Sequence, residues 1–192
     1  MDKSSAVLIR HERTSDFASV RTVTEAAFLS SAWGHNGEAE LIERLRSRCA
    51  ELLSLVAECE GQIVGHVLFS PVVIEAHGPL GGGMGLGPIA VAPEFQGKGI
   101  GSRLIEHGLE LLRQRGVRFV CVLGEPAFYG RFRFQPAAEF GVYCEFGGDM
   151  DGAFQIIWLQ DAPARTGRAL AKYRPEFSDL PSGPTSDDAP LE

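Results

Sequence analysis

Apolar positions along the chain follow two rhythms, a period near 3.6 and a period of 2, and their alternation sets out the elements. Residues 7–10 form a short extended run. Thr14, Ser15 and Asp16 then offer capping side chains to a helix on which Phe17, Val20, Val23, Ala27 and Phe28 recur at helical spacing. Residues 38–48 predict an amphipathic helix, with Leu41, Ile42 and Leu45 on one face and Glu40, Glu43, Arg44 and Arg46 on the other. Two apolar runs, 52–57 and 63–74, are hinged at Cys59-Glu60-Gly61-Gln62, a turn composition that predicts an antiparallel hairpin. The glycine-rich run 78–87 reads as a link from that hairpin to a strand at 86–91. A long helix follows, striped by Leu104, Ile105, Leu109, Leu111 and Leu112 and stopped at Gly116, and 117–123 reads as the next strand. Beyond it come a short helix at 127–132, a strand at 140–146, a turn at Gly147-Gly148-Asp149 and a strand at 154–159. This order predicts an α+β fold with a mixed sheet.

Composition narrows the class. At 192 residues the chain fits one domain with a tail, and 44% hydrophobic residues can fill a core. From about residue 178, Pro181, Pro184 and Pro190 alternate with Ser, Thr, Gly and Asp, so residues 1–177 are expected to form the domain and 178–192 a disordered acidic tail. The net charge of −7 has the wrong sign for generic nucleic-acid binding. No stretch approaches the ~20 apolar residues that cross a bilayer, so no membrane partner is expected. The four cysteines are scattered without metal-ligand spacing and read as free thiols, which fits a cytoplasmic location. No metal is expected.

The candidate chemistry lies at the start of the long helix. Gly97, Gly99 and Gly101 let backbone N–H groups crowd together without Cβ obstruction, a geometry that binds phosphate and that also serves a plain tight turn. Lys98 is followed by Gly99 where a Walker loop needs Ser or Thr, and the motif follows several strands where a dinucleotide fingerprint opens the first βαβ unit. Gly85-Leu86-Gly87-Pro88-Ile89-Ala90 matches the bare dinucleotide spelling but runs into a strand, not a helix. Between residues 98 and 133 seven Lys and Arg outnumber three Glu, a positive segment within an acidic chain that suits an anionic ligand.

The stretch from Leu86 through Val91, Ala92-Pro93-Glu94-Phe95 and Gln96-Gly97-Lys98-Gly99-Ile100-Gly101 resembles the acetyl-coenzyme A motif of the GNAT family of N-acetyltransferases, with Gln96, Gly99 and Gly101 in register. Leu123-Gly124-Glu125-Pro126-Ala127-Phe128-Tyr129-Gly130-Arg131-Phe132-Arg133-Phe134 is similar to the second family motif, as found in the YhbS-like bacterial branch, with Arg133 standing where glycine is usual. The resemblance implies a mostly antiparallel central sheet flanked by helices, with a splayed strand pair holding acetyl-CoA. It implies cofactor contacts from Ile89, Ala90 and Val91 along the pantetheine arm and from Gln96, Gly97, Lys98, Gly99, Ile100, Gly101 and Ser102 around the pyrophosphate. Tyr129 is the implied general acid for the departing thiolate. Glu125 and His35 are alternative bases, and Phe28, Trp33 and His35 candidates for the acceptor pocket. The expected reaction is direct attack of a small-molecule or peptide primary amine on the thioester, by a monomer or homodimer. A non-catalytic acyl-CoA-binding regulatory module on the same fold, or a nucleotide-binding enzyme of another class, are the alternatives.

Overall fold

The computed structural model of the chain describes residues 7–29, 37–76, 78–147, 152–162 and 167–179. Trp33, His35 and the tail beyond residue 179 lie outside the described residues. The element order is β1 (Val7–His11), α1 (Phe17–Phe28), α2 (Glu38–Arg48), β2 (Leu53–Cys59), β3 (Gln62–Ala76), β4 (Gly78–Val91), α3 (Ile100–Gln114), β5 (Phe119–Leu123), α4 (Pro126–Tyr129), β6 (Gln135–Pro136), β7 (Val142–Cys144), β8 (Phe154–Trp158) and β9 (Ala169–Lys172). Among the described residues the strands form one sheet in the order β1-β2-β3-β4-β5-β8-β6, with β9 on β3 and β7 on β9. Every pair is antiparallel except β4 with β5 and β7 with β9. The fold is α+β, with a mostly antiparallel sheet flanked by helices.

Because side chains alternate across a strand, β3 feeds two cores. Val67 and Phe69 join the α3 stripe of Ile100, Leu104, Ile105, Leu109 and Leu112. Leu68, on the opposite face, joins Val20 of α1 and Leu41, Ile42 and Leu45 of α2.

The glycine-rich run differs from the expected link. Residues 78–91 form one strand that pairs antiparallel along β3, from Ala76 opposite Gly78 to Gly65 opposite Val91. Here glycine makes room for neighbouring rings. The Phe119 ring occupies the space that a Cβ on Gly83 would need, and the Tyr173 ring comes within 2.6 Å of one on Gly85. The expected strand at 140–146 is also shorter. A 3-10 turn, Ala137–Phe140, takes its start, leaving Val142–Cys144 extended.

The register along β4 creates the site. Leu86 faces Phe69 and Ile89 faces Val67, so Gly87 and Pro88 together oppose Leu68, a bulge of one extra residue. On its other edge β4 pairs with β5 only from Gly83 to Gly85, against Phe119 to Cys121. Beyond that point the two parallel strands part, and residues 86–91 keep a strand edge with no β5 partner. This is the splayed pair that the sequence motifs imply.

Candidate active site

Alternation of the backbone shows which groups this open edge offers. Ala92 N–H donates to Val64 O across the β3 side at 2.9 Å. Amides two residues apart point the same way along a strand, so Ala90 also faces β3 while the amides of Ile89 and Val91 face the splay. The Val91 carbonyl is taken by Gln96 Nε2 at 3.0 Å, which ties the following loop to the strand. A 3-10 turn, Pro93–Phe95, then leads into the N-terminus of α3.

Gly97 and Gly99 both adopt left-handed backbone, with φ of +70° and +77°, and open space surrounds the position of a Cβ on each. Such φ values disfavour residues with a Cβ, which is why the loop repeats glycine. Gly99 is the N-cap residue of α3 and no side chain caps the helix. The first intrahelical bond runs from Arg103 N to Gly99 O. The amides of Ile100, Gly101 and Ser102 are therefore first-turn donors without intrahelical acceptors, at the positive end of the helix dipole.

These groups surround a cleft of about 370 Å³ lined by Ile89, Ala90, Val91, Gln96, Gly97, Gly99, Ile100, Gly101 and Ser102, together with Phe95, Phe128 and Arg131. Of the residues expected around the cofactor, only Lys98 is missing from the lining. Its ammonium turns back to Glu94 O at 2.6 Å and lies 5.0 Å from the centre of the Phe95 ring. Arg103, the other cation of the helix start, points at β1 and donates to Val7 O at 2.7 Å. The cation that lines the cleft is Arg131. Its guanidinium lies 4.5 Å from the centre of the Phe128 ring and Nε donates to Phe128 O at 3.2 Å. The positive run and the aromatic repeat were visible in the sequence, but only the turn after α4 shows which cation faces inward.

Tyr129 is buried, with its ring against those of Phe128 and Phe134. Burial pushes its phenol up to about 12. It does not line the cleft, although its neighbours Phe128 and Arg131 do. Glu125 is the N-cap of α4 and accepts from Ala127 N–H at 3.4 Å. Phe28 packs with Val23, Ala27, Ala90, Ala92 and Phe95, on the α1 side of β4. Arg133 has φ +69°, the left-handed turn that explains the usual glycine there. Among the described residues no three His, Cys, Asp or Glu side chains converge as metal ligands, and no helix is long and apolar enough to cross a membrane.

A splayed parallel pair, a glycine loop and an uncapped helix facing one cleft define a site for an extended, anionic ligand. Comparison with known proteins identifies the class. Residues 9–137 match the acetyltransferase (GNAT) domain family. The chain is 34% identical over 173 residues to the uncharacterized N-acetyltransferase YhbS of Escherichia coli K12, covering 90% of this chain and 99% of that protein. The crystal structure of E. coli YhbS in complex with CoA superposes with a TM-score of 0.78, covering 91% of this chain and 93% of that one. A GNAT family acetyltransferase from Brucella melitensis in complex with acetyl-CoA is 39% identical, with a TM-score of 0.71 over 89% of this chain and 97% of that one. The chain belongs to the GNAT acetyltransferase family.

Proposed function

We propose that the protein transfers an acetyl group from acetyl-CoA to a primary amine by direct attack of the amine on the thioester. The observation that carries this reading is the alignment of the open β4 edge with the uncapped α3 N-terminus in one cleft. Acetyl-CoA supplies the activated acetyl group. The amides from Gly97 to Ser102, with their inward dipole, suit its pyrophosphate, and the Arg131 guanidinium, held against Phe128, adds a cation to the lining. The free edge of Ile89 to Val91 suits the amide-bearing pantetheine arm as a strand would. The Val91 N–H, free on the open edge, suits a hydrogen bond to the thioester carbonyl, where negative charge grows as the amine adds. Tyr129 is the residue assigned to the leaving sulfur. Phe28, Trp33 and His35 belong to the acceptor side, and residues 1–177 carry the whole activity without the tail.

Titration calorimetry with acetyl-CoA, NAD and ATP in separate runs, followed by an amine-panel assay of thiol release, tests the reading. Micromolar binding of acetyl-CoA alone with thiol release on an amine is the expected result. Because no carboxylate or histidine lines the cleft among the described residues, a regulatory acyl-CoA-binding module is the second reading, and binding without turnover on any amine would select it.

A further inference from the structure

Among the described residues no side chain lining the cleft is able to take a proton from the amine, yet a buried imidazole lies one strand away. His66 stands on β3 directly across from Ala90 of β4 on one side and Val56 of β2 on the other. Ala90 lines the cleft, and adjacent strands lie about 4.8 Å apart. The ring is fully buried under α1, whose Val20 packs with Val56 and Leu68 and whose Val23 packs with Ala90 and Ala92. The charged groups facing it are Glu12, just after β1, and Arg46 of α2; α1 buries Val20, Val23 and Thr24.

The hydrogen bonds determine the tautomer. Ser54 Oγ donates to Glu12 Oε2 at 2.8 Å and lies 2.9 Å from His66 Nε2. A hydroxyl has one hydrogen, and a carboxylate can only accept it. Ser54 therefore meets Nε2 with a lone pair, so Nε2 carries the ring proton and Nδ1 is bare. Arg46 fixes Glu12 in turn, bonding both carboxylate oxygens while stacked over the Phe17 ring. Nδ1 is buried and without a hydrogen-bond partner among the described residues, as are Thr24 Oγ1 on α1 and Ser70 Oγ further along β3. Side chains alternate in direction along β3, so His66 and Ser70 point to the face that α1 covers. Buried polar atoms are almost always bonded, to protein or to water, so an unpartnered Nδ1 in this apolar layer marks a place for a water.

We propose that His66 is the positioning residue for proton removal from the acceptor amine, its Nδ1 lone pair holding the water that takes the proton. The proposal rests on the acetyltransferase reading above. The N–H bond of the ammonium breaks as the water oxygen takes the proton, and the hydronium so formed passes a proton on to solvent while it stays hydrogen-bonded to the Nδ1 lone pair. His66 keeps its Nε2 proton throughout, because Ser54 and Glu12 hold that tautomer. One proton leaves the amine, one reaches solvent, and the water and the imidazole end as they began. Burial holds the imidazole well below its usual range, near 3, which keeps the ring neutral and the lone pair free at neutral pH.

Two measurements test the proposal. Long-range proton–nitrogen NMR correlations on histidine-labelled protein read the tautomer without any substrate: Nε2–H is expected, and Nδ1–H would overturn the assignment whatever the activity. In kinetics with a working amine, Ser54→Ala is expected to lower kcat by about tenfold or more while the acetyl-CoA KM stays within about twofold. Ser54→Thr, which keeps the hydroxyl, restores kcat. His66→Gln follows Ser54→Ala if it folds. Unchanged kcat in Ser54→Ala would remove His66 and its Ser54–Glu12 support from proton removal and leave the acetyltransferase reading standing. A wild-type protein that acetylates no amine would end both, and would do so before any variant is compared.

Discussion

Burial acts on Tyr129 in two opposed ways. It fixes the ring against Phe128 and Phe134 and raises the phenol to about 12, so the hydroxyl is protonated at every working pH. It also makes the phenol a poor source of protons. A thiol titrates near 8.5, so complete transfer to the thiolate is uphill by roughly 5 kcal/mol, and the hydroxyl is better suited to donate a hydrogen bond to the developing charge. Hydrogen bonds to charged groups contribute about 1.5–3 kcal/mol. Tyr129→Phe should accordingly lower kcat by about 10- to 100-fold, while calorimetry finds acetyl-CoA affinity unchanged because the ring keeps its packing. Equal turnover in the two proteins would take Tyr129 out of the mechanism. Glu125 offers a contrast at the same scale. Its place beside the tyrosine makes it a candidate base, and its carboxylate also caps α4, a duty that sequence spacing alone does not reveal.

At the scale of elements, helix α3 reads from its sequence and the strands around it only in part. Leu104, Ile105, Leu109 and Leu112 recur on one face, and all are buried against the sheet. The glycine loop before it was legible because left-handed backbone at Gly97 and Gly99 leaves a chemical signature. Gly78 to Gly87 misled for the converse reason. Gly83 and Gly85 serve close approach by the rings of Phe119 and Tyr173, which lie far away in sequence, and a run so poor in side chains has no apolar alternation to betray a strand. The two-residue β6 and the four-residue β9 were likewise hidden, because each is held by its partner strands. Lys98 and Arg131 follow the same logic: charge was visible, direction was not. Gly108 turns this into a prediction. In an exposed helix, Gly→Ala is worth about 1 kcal/mol in favour of alanine. Here the added Cβ would run into the ring of Phe69, itself fully buried under α3. Overpacking of that kind costs about 1–3 kcal/mol, so Gly108→Ala should lower stability despite its better helix propensity. Chemical denaturation reads the sign, and a stabilised variant would show that Phe69 has room to move.

For the whole molecule, the buried titratable groups bound the pH range in which the fold is most stable. His66 is held near 3 inside the protein and titrates near 6.5 when the chain is unfolded. Below 6.5 the unfolded chain therefore takes up a proton that the folded chain refuses, and stability falls as pH falls through that window towards 3. Cys121, Tyr129 and Tyr173 act on the other side. Burial raises all three, so above about 9 the unfolded chain loses protons that the folded chain keeps, and stability falls again as pH rises. The maximum should lie between about 6.5 and 9. Asp16, held low chiefly by its hydrogen bond with Arg10, adds a further loss only below the ordinary aspartate range, about 3.9. Glu40, Glu110 and Glu176 are also held low and join below about 5, so the interval from 6.5 down to 5 is dominated by His66. Over that interval the wild-type protein should lose about 2 kcal/mol of unfolding free energy, measured by denaturant titration at each pH. In His66→Gln, which has no group titrating there, the acid limb should flatten while the alkaline limb remains. A variant with the same acid slope as the wild type would mean that the imidazole charges within the folded protein, and with it the neutral, bare Nδ1 on which the proton path depends would be lost.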